Sequence, residues 1–238
     1  MKRLLEYFHP LTRKNRQRQK HCKKKHIPLY LKKLLRSPNL DVNQRAFDTE
    51  FIVLDLETTG LDSEEEVILS MGWVEIRQGH IDLATSQHLY VHSDSKIKPE
   101  TIVVNHITQQ MLTDGISIHE AMRTFFKAAE NKVIVAHGCI VETSFINQYL
   151  QRVFNIKELP LIWIDTLRIE KRLQRAINAS DESDVTLAAT RERYGLPAYN
   201  GHNALADAIA TAELLLVQQT RIAPQTKATV GPLYRLSL

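Results

Sequence analysis

The sequence predicts an α/β fold in which a mixed sheet is flanked by helices. Three observations carry the prediction. "FIVLDLE" (51–57) is apolar on both alternating faces until its last residues, the mark of a strand covered on both sides. Two more strand patterns follow it with short links. Further along, short apolar runs alternate with helical stretches, a sheet-and-helix order.

The chain opens on a basic arm. Residues 1–36 hold 13 Lys/Arg and one acid, Glu6, whereas residues 37–238 hold 18 Lys/Arg and 26 acids. The charge is densest in "RKNRQRQKHCKKKH", a block that suits the phosphate backbone of nucleic acid, or else a solvated, partly helical tail. "RSPNLDVNQ" (36–44) reads as a linker. The domain boundaries expected are therefore an arm and linker over 1–45, a catalytic domain over 46–222, and a tail over 223–238.

Within the domain, "VILSMGWVEI" and "HIDLATSQHLYV" predict two strands joined by the tight "RQG" turn, so the first three strands form an antiparallel meander. "PETIVVNHITQQML" predicts short helical turns, and "SIHEAMRTFFKAAE" a helix with Ser117 capping and Glu120 at capping-box spacing. Then come "KVIVAH" as a strand, "VETSFINQYLQRVF" as a helix, "LPLIWID" as a strand and "TLRIEKRLQRAI" as a helix. Two more helices cover "VTLAATRERYG", ending at Gly195, and about 203–219.

Several function classes are excluded at this stage. No apolar stretch approaches the roughly 18–20 residues that span a membrane. Cys22 and Cys139 are far apart and give neither a disulfide framework nor zinc spacing, which fits a reduced, cytoplasmic protein.

The chemistry lies in acids placed where acids are costly. Asp55 and Glu57 project to one face of the first strand, in line with Phe51 and Val53. In "VETSFINQYLQRVF", Glu142 begins the apolar stripe of Phe145, Ile146, Tyr149, Leu150 and Val153, so it points to the core. Asp207 shares a helix face with Ala204, Ala210, Thr211 and Leu214, small neighbours that let a helix approach a sheet; His202 lies in the loop ahead, with Asn203 capping. Four inward carboxylates without cysteine suit hard divalent cations, Mg²⁺ or Mn²⁺. A pair of such ions neutralises the acids and serves phosphodiester cleavage.

"DLETTG" (55–60), "VAHGCIVETSFI" (135–146) and "HNALADAIATAELLL" (202–216) resemble, in order and spacing, the three motifs of the DEDDh 3′–5′ exonucleases, which include the proofreading ε subunit of bacterial DNA polymerase III. The resemblance implies an RNase H-like fold and two Mg²⁺ or Mn²⁺ ions held by Asp55, Glu57, Glu142 and Asp207. It implies His202 as general base, a task suited to an imidazole, and Thr58, Thr59, Gly60 and Leu61 as the loop that receives the 3′-terminal nucleotide. His106, in "VNHIT", corresponds to a family segment near that nucleotide, and substrate contact and loop packing both remain open for it. The second motif usually reads "AHNAxFD"; here Gly138, Val141 and Glu142 replace its Asn, Phe and Asp. Glu keeps the charge and reaches about 1.5 Å further. The expected reaction is removal of nucleoside 5′-monophosphates from the 3′ end of DNA, with a polymerase as a possible partner. The alternatives are trimming of RNA, or an adaptor that binds nucleic acid without cutting it. Asp165 reads as a helix cap and His137 as structural, while Glu64, Glu65 and Glu66 read as a solvated loop and Cys139 as an inert thiol.

Overall fold

The strand that is apolar on both faces becomes the middle of the sheet. The structure, a computed structural model, describes residues 6–93, 106–176, 184–224 and 227–238. Five strands, β1 (Phe51–Thr58), β2 (Ile68–Arg77), β3 (His80–Tyr90), β4 (Val133–Ala136) and β5 (Trp163–Asp165), are ordered β3-β2-β1-β4-β5. β1–β2 and β2–β3 pair antiparallel, as the meander predicts, and β1–β4 and β4–β5 pair in parallel. Gln78 and Gly79 turn β2 into β3 with φ of 50° and 70°, a left-handed pair that only short polar residues and glycine adopt cheaply. The segment from Pro99 lies outside the described residues up to 105.

Nine helices have both ends in the described residues: α1 (Pro10–Cys22), α2 (Leu29–Arg36), α3 (Gln109–Thr113), α4 (Ile118–Ala128), α5 (Ile140–Phe154), α6 (Thr166–Ala176), α7 (Leu187–Arg193), α8 (Ala204–Ile222) and α9 (Val230–Leu236). Ser117 Oγ accepts the Glu120 amide at 3.2 Å and Asn203 Oδ1 the Ala206 amide at 3.1 Å, so both expected caps form. The alternation along β1 sorts its residues into two layers. Ile52, Leu54 and Leu56 enter a core with Phe125 of α4 and Phe145, Ile146 and Leu150 of α5. Phe51 and Val53 enter the opposite core with Ile169 of α6 and Ala212 and Leu215 of α8. Val153 departs from its predicted stripe and is 39% exposed.

The N-terminal segment is not a detached tail. Leu31, Leu34 and Leu35 of α2 lie in the first core and Leu11 of α1 in the second, so the helical pair serves both layers. Arg18 is buried, and its guanidinium donates to the carbonyls of Leu34 (2.6 Å), Ser37 (2.7 Å) and Pro38. It thereby satisfies the end of α2, where helix carbonyls lack partners. The residues of "TKATVGPLYRLSL" also have a place: Val230, Leu233 and Tyr234 of α9 complete the second core. Among the described residues, no helix is long and apolar enough to cross a membrane.

Candidate active site

The acids collect where β1 ends. Asp55 pairs with Gly72 of β2, and at that position the first turn of α8 lies directly on the sheet. A Cβ on Gly72 would stand 2.2 Å from the Ala204 carbonyl carbon and the Leu205 nitrogen, so only glycine admits this approach. The approach brings Asp207 over the strand end. Asp55, Glu57 and Asp207 each present a carboxylate oxygen within 4.8 Å of the others. Glu142, from the helix on the other layer, reaches the same region; it is 4% exposed, and its Oε2 is buried with no hydrogen-bond partner.

The electrostatics follow from this crowding. Burial pushes the Asp55 carboxyl well above the carboxylate range, and Glu142, Asp207 and Glu57 add to the rise. Burial, then Asp207, raises Glu57 to about 7. Glu142 is raised to about 8, by burial first and with Asp165 contributing. Among the described residues no lysine or arginine pairs with these four groups. Desolvated, uncompensated carboxylates at one point, with an orphaned oxygen among them, fit a divalent cation. The all-oxygen donor set fits a hard one.

His202 is exposed, in a left-handed backbone conformation (φ 62°), and its amide donates to Asp207 Oδ2 at 2.8 Å; the Asn203 amide adds a second bond at 3.2 Å. This places His202 at the rim of the cluster rather than within it. Thr58 and Thr59 are turned inward: Thr58 Oγ1 donates to the Gly60 carbonyl at 2.7 Å, and Thr59 Oγ1 donates to Glu66. Glu66 therefore departs from the solvated loop expected for the acidic triplet, of which Glu64 and Glu65 are exposed. Gly60 lies against the Glu66 carboxyl, and Leu61 is 80% exposed. His106 is exposed, with φ 53°.

Asp165 does more than cap α6. Its Oδ1 accepts from Leu167 and Arg168 at the start of α6 and from Gly138, and its Oδ2 accepts from Cys139, so one carboxylate binds the turns into two helices. His137 is structural, its ring nitrogens meeting Thr166 Oγ1 and the Val185 carbonyl, each at 2.9 Å. Cys139 is buried, and burial raises its thiol pKa, which keeps it unreactive. Sequence reasoning passed over Gly72, and it read Glu66 as part of a solvated loop where the structure gives it the Thr59 hydroxyl. A glycine inside a strand pattern is a signal of close backbone approach and could have exposed the first. Nothing in the local sequence marks Glu66 as a partner of Thr59.

A mixed sheet in this order, flanked by helices and carrying at the end of its central strand a carboxylate cluster that could hold a cation, is the RNase H-like fold. The nuclease domain of 3'hExo, a DEDDh family member bound to rAMP, shares it with a TM-score of 0.64 at 14% identity, over 76% of this chain and 96% of that one. The chain belongs to the Exonuclease (RNase_T) family, whose profile matches residues 52–215. It is 33% identical to a DNA polymerase III PolC-type protein of Thermotoga petrophila over 75% of this chain. It is 27% identical to a 3'-5' exonuclease DinG of Staphylococcus epidermidis over 79% of this chain. The chain spans only 12% and 20% of those relatives' lengths.

Proposed function

We propose that this chain is a metal-dependent 3′–5′ exonuclease that shortens DNA from single-stranded or frayed 3′ ends and releases nucleoside 5′-monophosphates. The observation that carries the reading is the convergence of Asp55, Glu57 and Asp207 within 4.8 Å, with the buried Glu142 close enough to raise the Asp55 carboxyl. These four side chains would hold two Mg²⁺ or Mn²⁺ ions, which when bound supply an activated water and charge for the leaving oxygen. His202, carried on the loop whose amides grip Asp207, accepts the proton of the attacking water as general base. Thr58, Thr59, Gly60 and Leu61 receive the terminal nucleotide. The bond from Thr59 to Glu66 fixes the loop, and the exposed Leu61 side chain offers an apolar surface to the terminal base. His106 is a second contact to that nucleotide.

The name of the DNA polymerase III PolC-type relative favours DNA over RNA and a setting in replication or repair, with a polymerase as partner, and that of the DinG relative favours 3′–5′ exonuclease action. Exposed cations of the first helical pair, including Lys23, Lys24 and Lys25, meet the phosphate backbone. The two unpaired cysteines are consistent with a reducing cytoplasm. Glu142, despite its extra methylene, keeps a buried carboxylate oxygen without a partner and acts on Asp55, which favours activity over a degraded adaptor.

The experiment is cleavage of matched, 5′-labelled DNA and RNA oligomers with Mg²⁺, with Mn²⁺ and with chelator. A metal-dependent ladder from the 3′ end of DNA, lost in Asp55→Asn with the fold retained, is the expected result. Faster cleavage of the RNA oligomer would assign an exoribonuclease. Undiminished activity in Asp55→Asn would remove the site assignment.

A further inference from the structure

The outer face of α6 gathers cations at the edge of the sheet where the acids stand. Arg168, Lys171, Arg172 and Arg175 fall at i, i+3, i+4 and i+7 of that helix, so they form one stripe, and all four are exposed. The helix's one acid, Glu170, is buried on the other side against Arg193, Tyr194 and Gln218. Two of the arginines are held by backbone oxygens: the Arg168 guanidinium donates to Leu238 and the Arg172 guanidinium to Arg235. A guanidinium has five N–H donors, so each keeps others for a ligand. Asp165, 3.6 Å from Arg168, already accepts the backbone amides of Gly138, Cys139, Leu167 and Arg168. Among the described residues Lys171 has no ion pair. Arg235 of α9 is itself exposed, and α9 shares its core with Leu11 of α1, so the cations run on toward the N-terminal helices.

A cleft of about 420 Å³ opens between this stripe, Leu238 and the Gly138–Ile140 turn. The turn leads from β4 into α5, whose first turn carries Glu142. β1, β4 and β5 are parallel neighbours, so the acids at the end of β1 and the start of α6 after β5 lie along one edge, two strand spacings or about 10 Å apart. The site itself offers a polyanion little attraction, because four carboxylates and two divalent cations cancel in charge. We propose that the α6 stripe, with Lys171 and Arg172 at its middle, is the surface that takes the phosphate backbone of the single strand running back from the reacting 3′ end. Guanidinium groups already fixed by backbone oxygens match phosphate geometry and lose little freedom on binding. The course of the strand rests on the nuclease reading of the site; the attraction for phosphate does not.

The test is the salt dependence with which the full chain binds a 5′-fluorescein oligomer of about twenty deoxythymidines, read by anisotropy in chelator, which withholds the ions needed for cleavage. The variant is Lys171→Gln with Arg172→Gln. The control, Arg123→Gln with Lys127→Gln, removes the same charge from exposed positions of α4, on the opposite layer. Each phosphate contact to a single strand contributes about 0.7 to the slope of log Kd against log salt, so the variant's slope should be smaller by about 1.4. Its Kd should rise roughly tenfold at low salt, with the melting temperature kept. Lys171→Gln alone, with no bond to lose, should lower the slope by about 0.7 even where the double variant fails to fold. The control should keep the parent's Kd and slope. Parent values in the Lys171 and Arg172 variants overturn the inference, and so does an equal loss in the control, which would show attraction to net charge alone. Failure of the parent to cut the same oligomer with Mn²⁺, with the salt slope still reduced in the variant, overturns the nuclease reading and leaves the phosphate surface in place.

Discussion

Gly72→Ala is the smallest change that should disconnect the site from its scaffold. An ideal Cβ there would lie 2.2 Å from two backbone atoms of Ala204 and Leu205 and 2.5 Å from the Ala204 carbonyl oxygen. Carbon atoms in ordinary contact sit about 3.5–4.0 Å apart, so the first turn of α8 must retreat by roughly 1.5 Å or the strand must bend away. Either movement carries Asp207 from Asp55, which is paired with residue 72 itself. Misplacement of a catalytic group by about 1 Å can cost on the order of 10²-fold in rate. Overpacking of this kind costs about 1–3 kcal/mol of stability, which for a chain this long lowers Tm by roughly 2–4 °C per kcal/mol. The assay measures kcat on a DNA oligomer, the Kd for Mn²⁺ and the melting temperature. Gly195→Ala is the control: its φ of 67° strains an alanine, yet a Cβ there meets nothing within 4 Å, so stability falls without movement of the site. Wild-type rate and Mn²⁺ affinity in Gly72→Ala would refute this reasoning, as would an equal loss of rate in the Gly195→Ala control.

Three other outcomes follow from the same geometry. Burial raises Glu142 to about 8 and Glu57 to about 7 in the folded, metal-free protein, above the ordinary carboxylate value of 4.5, so the folded state holds protons that the unfolded chain has released. Stability without metal should therefore fall as pH rises from about 5 to 8, by up to about 1.4 kcal/mol per pH unit for each fully differing proton, and Mn²⁺ should reverse the trend. Melts in chelator at pH 5 and pH 8 check this, and a higher Tm at pH 8 would contradict it. Glu142→Gln removes a charge beside Asp55 and should raise the chelator Tm at pH 8 while lowering nuclease activity, read in paired melts and rate assays. Arg18→Ala withdraws charged donors from three carbonyls and should cost about 3 kcal/mol in urea unfolding, with little change in kcat for the fraction that remains folded.

The site was legible where periodicity and burial act together. Strand alternation places Asp55 and Glu57 with Phe51 and Val53, and the two apolar residues do join the core beneath α8. The 3.6-residue stripe of α5 turns Glu142 inward, where it is buried. The helical pair at the N-terminus was less legible. The "LYLKKLLR" segment carries leucines at helical spacing, but its lysines dominate the composition, and only contact with α4 shows that the leucines have a core to enter. Tyr199 and Arg191 were invisible for a different reason. Tyr199 lies in an irregular loop, which carries no period, and a ring stacked on an arginine of α7 eight positions away leaves no local pattern. Glu66 looked like one more surface acid because the hydroxyl it accepts belongs to Thr59, on the far side of the turn.

The N-terminal helices have a bearing on how the protein should be handled. β5 is only three residues long and ends the sheet, and Lys14 of α1 lines the same cleft as Trp163 of β5. Leu11, Leu31, Leu34 and Leu35 of α1 and α2, with Val230, Leu233 and Tyr234 of α9, also cover apolar surface of both cores, and a core face left uncovered invites association. Trimming the protein to the span that matches the family, 52–215, would strip away α1, α2 and α9 at once. Such a fragment would retain all four acids and yet be prone to stick to itself, so a minimal nuclease should keep its basic preamble for colloidal reasons even when catalysis does not require it.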